Sequence, residues 1–416
     1  MLIRRAAAVV AVCGIGLAGG LAGCGSADPI APAGPITLAL ITDRDSPAGA
    51  DALRAAQLAI DVVNQPHPAL ALPLAAGSGL PGLAGAPLVL AVADTAGRAD
   101  TTEATLDQLS VAESPVGFVA AETPDVVATA GAYADRRRVP LVDGATSAGF
   151  LLEVGLDWYF RVTATDRDRL EAAFALFDAA PAAVGGRSVT VVIPALSSGS
   201  DLVPLLSDVA RGAGYRLGDT ITVAGASPPE LAEAAAGLAQ APSGPVVAVA
   251  DSPAEAALVQ QVLSQAGPAR PVVGLGQGFG VGEATVADLA YPADWSAALT
   301  ERHPLARAVA DLYQRRHQTP MSQTAASVFT ATLTLAAAVD SAGRADPAAV
   351  RASLRQLSIP ATQLIMPWHG VRFGDDGQNQ LAAAVVEQHT AEGPTLVHPP
   401  ELALAPVAWP AAGGTR

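Results

Sequence analysis

The side chains most often recruited for catalysis are present in this chain, but they are not spaced to perform it. Six histidines, His67, His303, His317, His369, His389 and His398, are scattered with no HExxH and no i,i+4 pair, so no metal site is expected. A serine nucleophile on a sharp strand-to-helix turn needs GxSxG. Around Ser147 and Ser198 the first glycine position holds Ala145 and Leu196, which argues against a hydrolase. Gly14-Ile15-Gly16-Leu17-Ala18-Gly19 has the letters of a dinucleotide loop but no strand before it. Gly274-Leu275-Gly276-Gln277-Gly278 does follow an apolar run, yet Phe279 stands where the last glycine should be. Arg136-Arg137-Arg138 ends a helical pattern, where cations complement the helix dipole. No catalytic residue and no cofactor is therefore expected. Hydroxyls and carboxylates on loops remain, and these suit binding.

The two cysteines, Cys13 and Cys24, both lie near the amino terminus. Arg4-Arg5 precedes an apolar run from Ala6 to Gly20, and Leu21-Ala22-Gly23 leads into Cys24. A positive end, a short apolar region and small residues read as a secretory signal. With cysteine after the small pair, the stretch resembles a bacterial lipoprotein signal, which implies cleavage before Cys24 and lipid on its sulfur and new amino terminus. The mature chain would then carry no other thiol and no disulfide. Its formal charge of −15 falls by two more once Arg4 and Arg5 leave, which disfavours nucleic acid or anionic lipid as partners. Membrane attachment is expected from lipid at Cys24, with several acyl chains needed for stable anchoring. No later segment reaches about 20 uninterrupted apolar residues; Ala325 to Val339 carries Ser and Thr and ends at Asp340.

The elements that must position the loops follow from periodicity. Residues 25–35 are small and Pro-rich, the composition of a tether. Ile36 to Thr42 is a β-favouring run, and after the turn Asp43-Arg44-Asp45-Ser46-Pro47, Leu53, Ala56, Ile60 and Val63 recur at helical spacing up to Asn64. The unit repeats: strands at Leu88–Ala93, Val116–Ala120, Pro140–Val142 and Tyr159–Thr163, helices at Thr102–Leu109 and Asp125–Arg138. Later, strands Val189–Ile193 and Val246–Ala250 each precede a helix, 201–213 and 254–266. Such alternation implies parallel sheets covered by helices on both faces. From Leu305 three helices follow, 305–317, 322–342 and 347–357. Then Val371–Phe373, the Gly374–Gly377 turn and Leu381–Gln388 read as a β-hairpin. Residues 65–87, rich in Pro, Gly and Leu, read as a loop insertion. Half the residues are hydrophobic and only 4% aromatic, so Ala, Val and Leu must build the core.

From Ile36 to Gln388 the chain resembles the type I periplasmic binding proteins, on the branch that binds leucine, isoleucine and valine or related amides for ABC importers. The resemblance lies in ITLALITDRDSPAGADALRAAQLAIDVVN, in Val139-Pro140-Leu141 with Gly144-Ala145-Thr146-Ser147, in Phe160-Arg161 with Asp166, and in Trp368, Gly370–Phe373, Gly377-Gln378-Asn379 and Val385–Gln388. It implies an α/β fold of two doubly wound parallel-sheet lobes joined by three crossover segments, with a ligand clamped between them. Carried onto this chain, lobe one is 36–164 with 293–364, and lobe two is 165–292 with 365–395. Residues 1–23 are then the signal peptide, 24–35 the lipidated cysteine and tether, and 396–416 a C-terminal tail.

The resemblance also implies the ligand-binding positions. On lobe one these are Ala121, Glu122 and Thr123, and Gly144, Ala145, Thr146 and Ser147. Thr146 matches a ligand-binding threonine, with Gly144 and Ala145 offering backbone groups. Thr146-Ser147 is also placed to cap the next helix. Ala121 and Glu122 replace a serine loop; a carboxylate there repels a ligand carboxylate and suits a cation or amide, unless Glu122 turns to solvent. On lobe two, where the family places an aromatic and an acid, the positions are Asp251, Ser252 and Gln277, with no carboxylate at the second place. Asp43, Ser46 and Asp94 are placed to rim the cleft or to shape turns. The expected function is an exported, lipid-anchored, non-enzymatic protein delivering a small polar solute to ABC permease subunits. The alternative is a ligand sensor or an adaptor of cell-wall synthesis on the same fold.

Overall fold

A computed structural model describes residues 34–195, 202–267, 269–276, 278–280, 286, 288–391 and 393–410. Cys24, Gln277, Ser198 and Asp201 lie outside these residues. The first half runs β1 (Ile36–Thr42), α1 (Pro47–Asn64), β2 (Leu88–Asp94), α2 (Ala99–Glu113), β3 (Phe118–Ala121), α3 (Pro124–Arg137), β4 (Leu141–Asp143), the short α4 (Phe150–Glu153) and β5 (Tyr159–Arg161). These five strands make one parallel sheet in the order β2-β1-β3-β4-β5.

The chain continues through α5 (Asp166–Ala179), the short α6 (Pro181–Val184), β6 (Ser188–Pro194), α7 (Leu202–Gly212), β7 (Arg216–Val223), α8 (Pro228–Gln240), β8 (Val246–Val249), α9 (Pro253–Gln265), β9 (Val272–Leu275) and β10 (Ala290–Ala293). It ends in α10 (Pro304–His317), α11 (Gln323–Ala342), α12 (Pro347–Gln356), β11 (Ile359–Pro360), β12 (Gly370–Val371), β13 (Val385–Thr390) and β14 (Gly393–His398). The second sheet has the order β14-β13-β10-β9-β8-β6-β7, parallel from β7 to β10 and antiparallel at β13 and β14. The fold is thus α/β with two lobes.

Local chemistry explains the elements. Ser46 caps α1 by accepting the Gly49 N–H, and Pro47 takes the first position, where its missing N–H costs nothing. At the other end Asn64 brackets Leu88, donating to its carbonyl and accepting its N–H, both at 2.8 Å. The last turn of α1 is thereby pinned to the first residue of β2. One face of the first sheet, with Leu38, Leu40 and Val119, packs on α1 and α11; the other, with Ile41, Phe118 and Leu141, packs on α2 and α3. Helix α11 has the length and apolarity of a membrane span, but 78% of its most apolar stretch is buried inside the fold. Its buried Thr330, Thr332 and Thr334 each donate their hydroxyl to the carbonyl four residues back, at 2.9, 2.7 and 2.7 Å, so no polar group is stranded.

Three findings depart from the sequence reading. The expected hairpin forms only around its turn. Its turn is present, with Phe373 bridged to Asn379, but Gly370–Val371 pairs with β11, and Val385–Thr390 crosses into the second sheet between β10 and β14. The ladder stops where the Arg372 N–H donates to the Asn379 side chain at 3.0 Å in place of a facing backbone carbonyl, while Gln378 and Asn379 give their amide N–H groups to the carbonyls of Thr163, Val162 and Gly370. Residues beyond 395 are not merely a tail, since Leu396 is buried in β14 and Trp409 packs on Phe177 at 5.8 Å. Several elements are additional to those read from periodicity, chiefly the helices α5 and α8 and the strands β7, β10 and β14. Both helices open with a capping box, Thr165/Asp168 and Ser227/Glu230, a signal the sequence does display. The loop 65–87 is fastened down by buried Leu72 and Leu80 and by the Gly82 N–H on Asp340 at 2.7 Å.

Candidate functional site

Both sheets reverse their strand order after the first strand of their half: β2-β1-β3 in the first, β7-β6-β8 in the second. Open α/β sheets hold ligands outside the carboxyl ends of their strands at such a reversal. In the first sheet register sets Thr42 beside both Asp94 and Ala121, and Ala120 beside Asp143. The loops following these residues carry the predicted lobe-one positions. The register therefore brings 121–123 and 144–147 to one edge, with Asp43 and Thr95.

Glu122 does not face solvent. It is 8% exposed, accepts the Thr95 hydroxyl on one oxygen, and receives the Thr123 N–H at 3.4 Å on the other. Burial pushes its carboxyl above the usual range, and the negative charges of Asp43 and Asp94 add to the shift. Ala121 is half-buried, and exposed Thr123 stands at the N-cap of α3 without capping through its side chain.

The second loop closes on itself. The Ala145 and Thr146 N–H groups donate to Asp143 Oδ1 at 2.8 and 3.2 Å, and the Thr146 hydroxyl donates to Oδ2. Tyr159 also donates to Oδ2, at 2.7 Å; burial and then the Asp143 charge raise its phenol far above the usual value. The Gly144 N–H donates to the Ala120 carbonyl at 3.0 Å. Gly144 sits in tight packing, since a Cβ there would lie 3.0 Å from Ala331 Cβ and 3.2 Å from the Ser327 carbonyl oxygen. Neither Thr146 nor Ser147 caps α4, whose N-cap is Gly149. Ser147 instead faces lobe two, its hydroxyl accepting from Arg169 at 3.0 Å and its carbonyl accepting the Asp166 N–H at 3.2 Å.

On lobe two, Asp251 and Ser252 are half-buried and follow β8. Ser252 caps α9 by accepting the Glu255 N–H at 3.3 Å, and the Asp251 N–H donates to Glu255 at 2.7 Å. Gly276 nearby has φ +93°, and a Cβ would lie 2.3 Å from the Ala250 carbonyl oxygen, so the β9 loop can approach only as glycine.

Between the lobes the described chain crosses three times: at 162–165, after Ala293, and between β12 and β13. Fully buried Arg161 donates to Gln378 and to the Ala148 carbonyl, each at 2.7 Å, while one guanidinium nitrogen has no partner. Arg169 and Asp294 form an ion pair beside them. Sequence reasoning did not single out Asp143 or Asp294. Asp-Gly-Ala-Thr does carry a signal for the first, an acidic turn that accepts its own following N–H groups. Among the described residues, no group of three His, Cys, Asp or Glu side chains could hold a metal ion.

A search of curated proteins returns no match. Among solved structures, an ABC transporter substrate-binding protein from Desulfitobacterium hafniense in complex with Leu is 16% identical, with a TM-score of 0.69 over 87% of this chain and 99% of that one. A putative branched-chain amino acid ABC transporter from Silicibacter pomeroyi is 16% identical, with a TM-score of 0.71 over 90% and 99%. A solute binding protein of an ABC transporter from Rhodopseudomonas palustris, in complex with 3,4-dihydroxy benzoic acid, is 12% identical, with a TM-score of 0.64 over 87% and 95%. At such identities the likeness concerns the fold. The family model described as periplasmic binding protein matches residues 35–393, most of the described body, and the chain belongs to that family.

Proposed function

We propose that this protein is an extracytoplasmic solute-binding protein that captures a small polar molecule and delivers it to the permease of an ABC importer, without chemistry of its own. The observation that carries this reading is the shared strand order, which gives each lobe a ligand-binding reversal point joined through three crossings. Hinge closure around a ligand is what such an arrangement does. The walls of the cleft are the loops 121–123 and 144–147 from lobe one (36–164 and 293–364) and Asp251 and Ser252 from lobe two (165–292 and 365–395), with Gln277, outside the described residues, as a further candidate from the sequence. Lipid on Cys24 holds the protein at the outer face of the membrane. The solved relatives support solute binding but differ among themselves in ligand, so the chemistry of this cleft must decide its own.

The test is a thermal melt of residues 36–416 with amino acids, amides, polyamines and sugars. Ligand at 100 times its dissociation constant adds about 2.7 kcal/mol. A panel that moves nothing rejects capture and leaves the adaptor of cell-wall synthesis as the better reading. Radiolabelled palmitate incorporated into the full chain, and lost on Cys24→Ser, tests the anchor.

A further inference from the structure

The loop after β4 already contains a carboxylate. Its backbone N–H groups at Gly144, Ala145 and Thr146 and the Thr146 hydroxyl are the groups that would meet the carboxylate of a bound amino acid. In this chain the first ends on the Ala120 carbonyl and the other three on Asp143. Asp143 is fully buried, and Tyr159 completes its shell. An entering carboxylate would find these donors engaged and would lie beside a resident negative charge, which costs energy in a low-dielectric site.

The neighbouring loop makes the same selection. The Glu122 carboxylate is buried with Thr95 and Thr123 as its donors, and Asp43 and Asp94 lie near enough to act on its charge. Among the described residues none of Asp43, Asp94, Glu122 and Asp143 makes an ion pair with an arginine or lysine, although Arg161 stands opposite Asp143 in the β4/β5 register. Among the described residues Asp94 accepts only the Arg44 and Ala96 backbone N–H groups, at 3.3 and 3.2 Å. A cationic nitrogen entering at the β1/β3 reversal would supply the missing counter-charge.

We infer that the solute carries a cationic nitrogen, alkylammonium or guanidinium, and no free carboxylate. This rests on the reading of the cleft as the ligand site. Asp143 excludes the carboxylate by holding the donors it would need. Glu122 favours the cation by accepting from it at the edge where Thr42, Asp94 and Ala121 stand in register.

The test compares melts of the purified protein with putrescine, agmatine, L-leucine, L-glutamate, acetamide and glucose. Putrescine or agmatine should give a saturable upward shift, and the two amino acids none. Glu122→Gln should weaken that binding by about tenfold or more, as when a charge-assisted hydrogen bond is lost, with the unliganded melt unchanged or raised. Asp94→Asn, on an exposed side chain, should weaken it by about threefold and cannot fail by misfolding a core. A shift with leucine or glutamate that survives Glu122→Gln overturns the inference and leaves solute binding standing. A shift with acetamide or glucose alone also overturns it. No shift with any compound removes both.

Discussion

Arg169 and Asp294, 125 residues apart, meet at 2.5 Å with side chains only 12% and 2% exposed. The pair ties the first helix of lobe two to the returning crossing. Asp294 also accepts the Ala164 N–H at 3.0 Å, and Arg169 reaches Ser147, so two of the three crossings and the Ser147 loop of lobe one share one buried charge pair. Removing one partner leaves the other uncompensated, which in buried pairs costs about 3–5 kcal/mol. Asp294→Ala should therefore lower the denaturant-unfolding free energy by about that much. Arg169→Met combined with Asp294→Leu should recover most of it; a double variant no better than the single would contradict this account.

Glu122 sets a pH dependence of defined sign. Its folded value lies above the ordinary carboxyl range, so the folded state holds its proton longer than the unfolded chain. Its contribution is present at low pH and is lost as pH rises from about 4.3 through the raised value. Glu122→Gln cannot titrate. The melting-temperature difference between variant and wild type should be near zero below pH 4 and favour the variant as pH approaches neutrality. A constant difference across that range would be the contrary result.

His303 works in the opposite direction. It caps α10 through Nδ1, which accepts the Ala306 N–H at 3.1 Å and can do so only when unprotonated. Burial lowers its pKa, as it does for His317, His389 and His398. A histidine depressed on folding contributes stability above the unfolded value of about 6.5 that is lost as pH falls through its folded value. Stability should thus decline from pH 7 towards pH 5. His303→Asn keeps a capping oxygen and removes one titrating group, so its decline, followed by urea unfolding at each pH, should be shallower.

The C-terminal segment should prove integral to lobe two. Fully buried Gln388 donates to the Ala408 and Asp288 carbonyls at 2.8 and 2.9 Å and accepts the Ala408 N–H at 2.8 Å. Gln388→Ala removes three bonds around buried backbone and should cost about 2 kcal/mol or more. A chain ending at His398 should melt lower by several degrees. An unchanged melt would mean that residues 399–410 only rest on the surface.

The layered α/β fold was legible because β1, β6 and β8 are continuous apolar runs and α1 keeps a clean helical stripe. β7 was not, because it is an edge strand whose residues are mostly exposed and include Gly218 and Asp219, so it lacks an apolar signature. The loops of the cleft could be placed from sequence, yet the partners of Thr146 could not. Asp-Gly-Ala-Thr is compatible with a free ligand loop and with one folded onto its own aspartate; the buried Tyr159 beside it, sixteen residues on, supports the second. The crossing network was invisible for a related reason. Arg161 and Gln378 are 217 residues apart, and no local pattern marks them as partners.

The position of α11 has a consequence for the order in which the molecule is assembled. This helix covers the inner face of the first sheet, against Leu38, Leu40 and Val119, but it begins only at Gln323, after every parallel strand of the second sheet. A growing chain that has reached Ala293 holds the whole parallel part of lobe two. Lobe one at that moment is a five-stranded sheet with one face covered by α1 alone. Contacts this distant in sequence form late and leave apolar surface uncovered meanwhile. Lobe two, written into the middle of lobe one, is therefore the half able to become compact first, and the older end of the chain must wait for the younger to close over it.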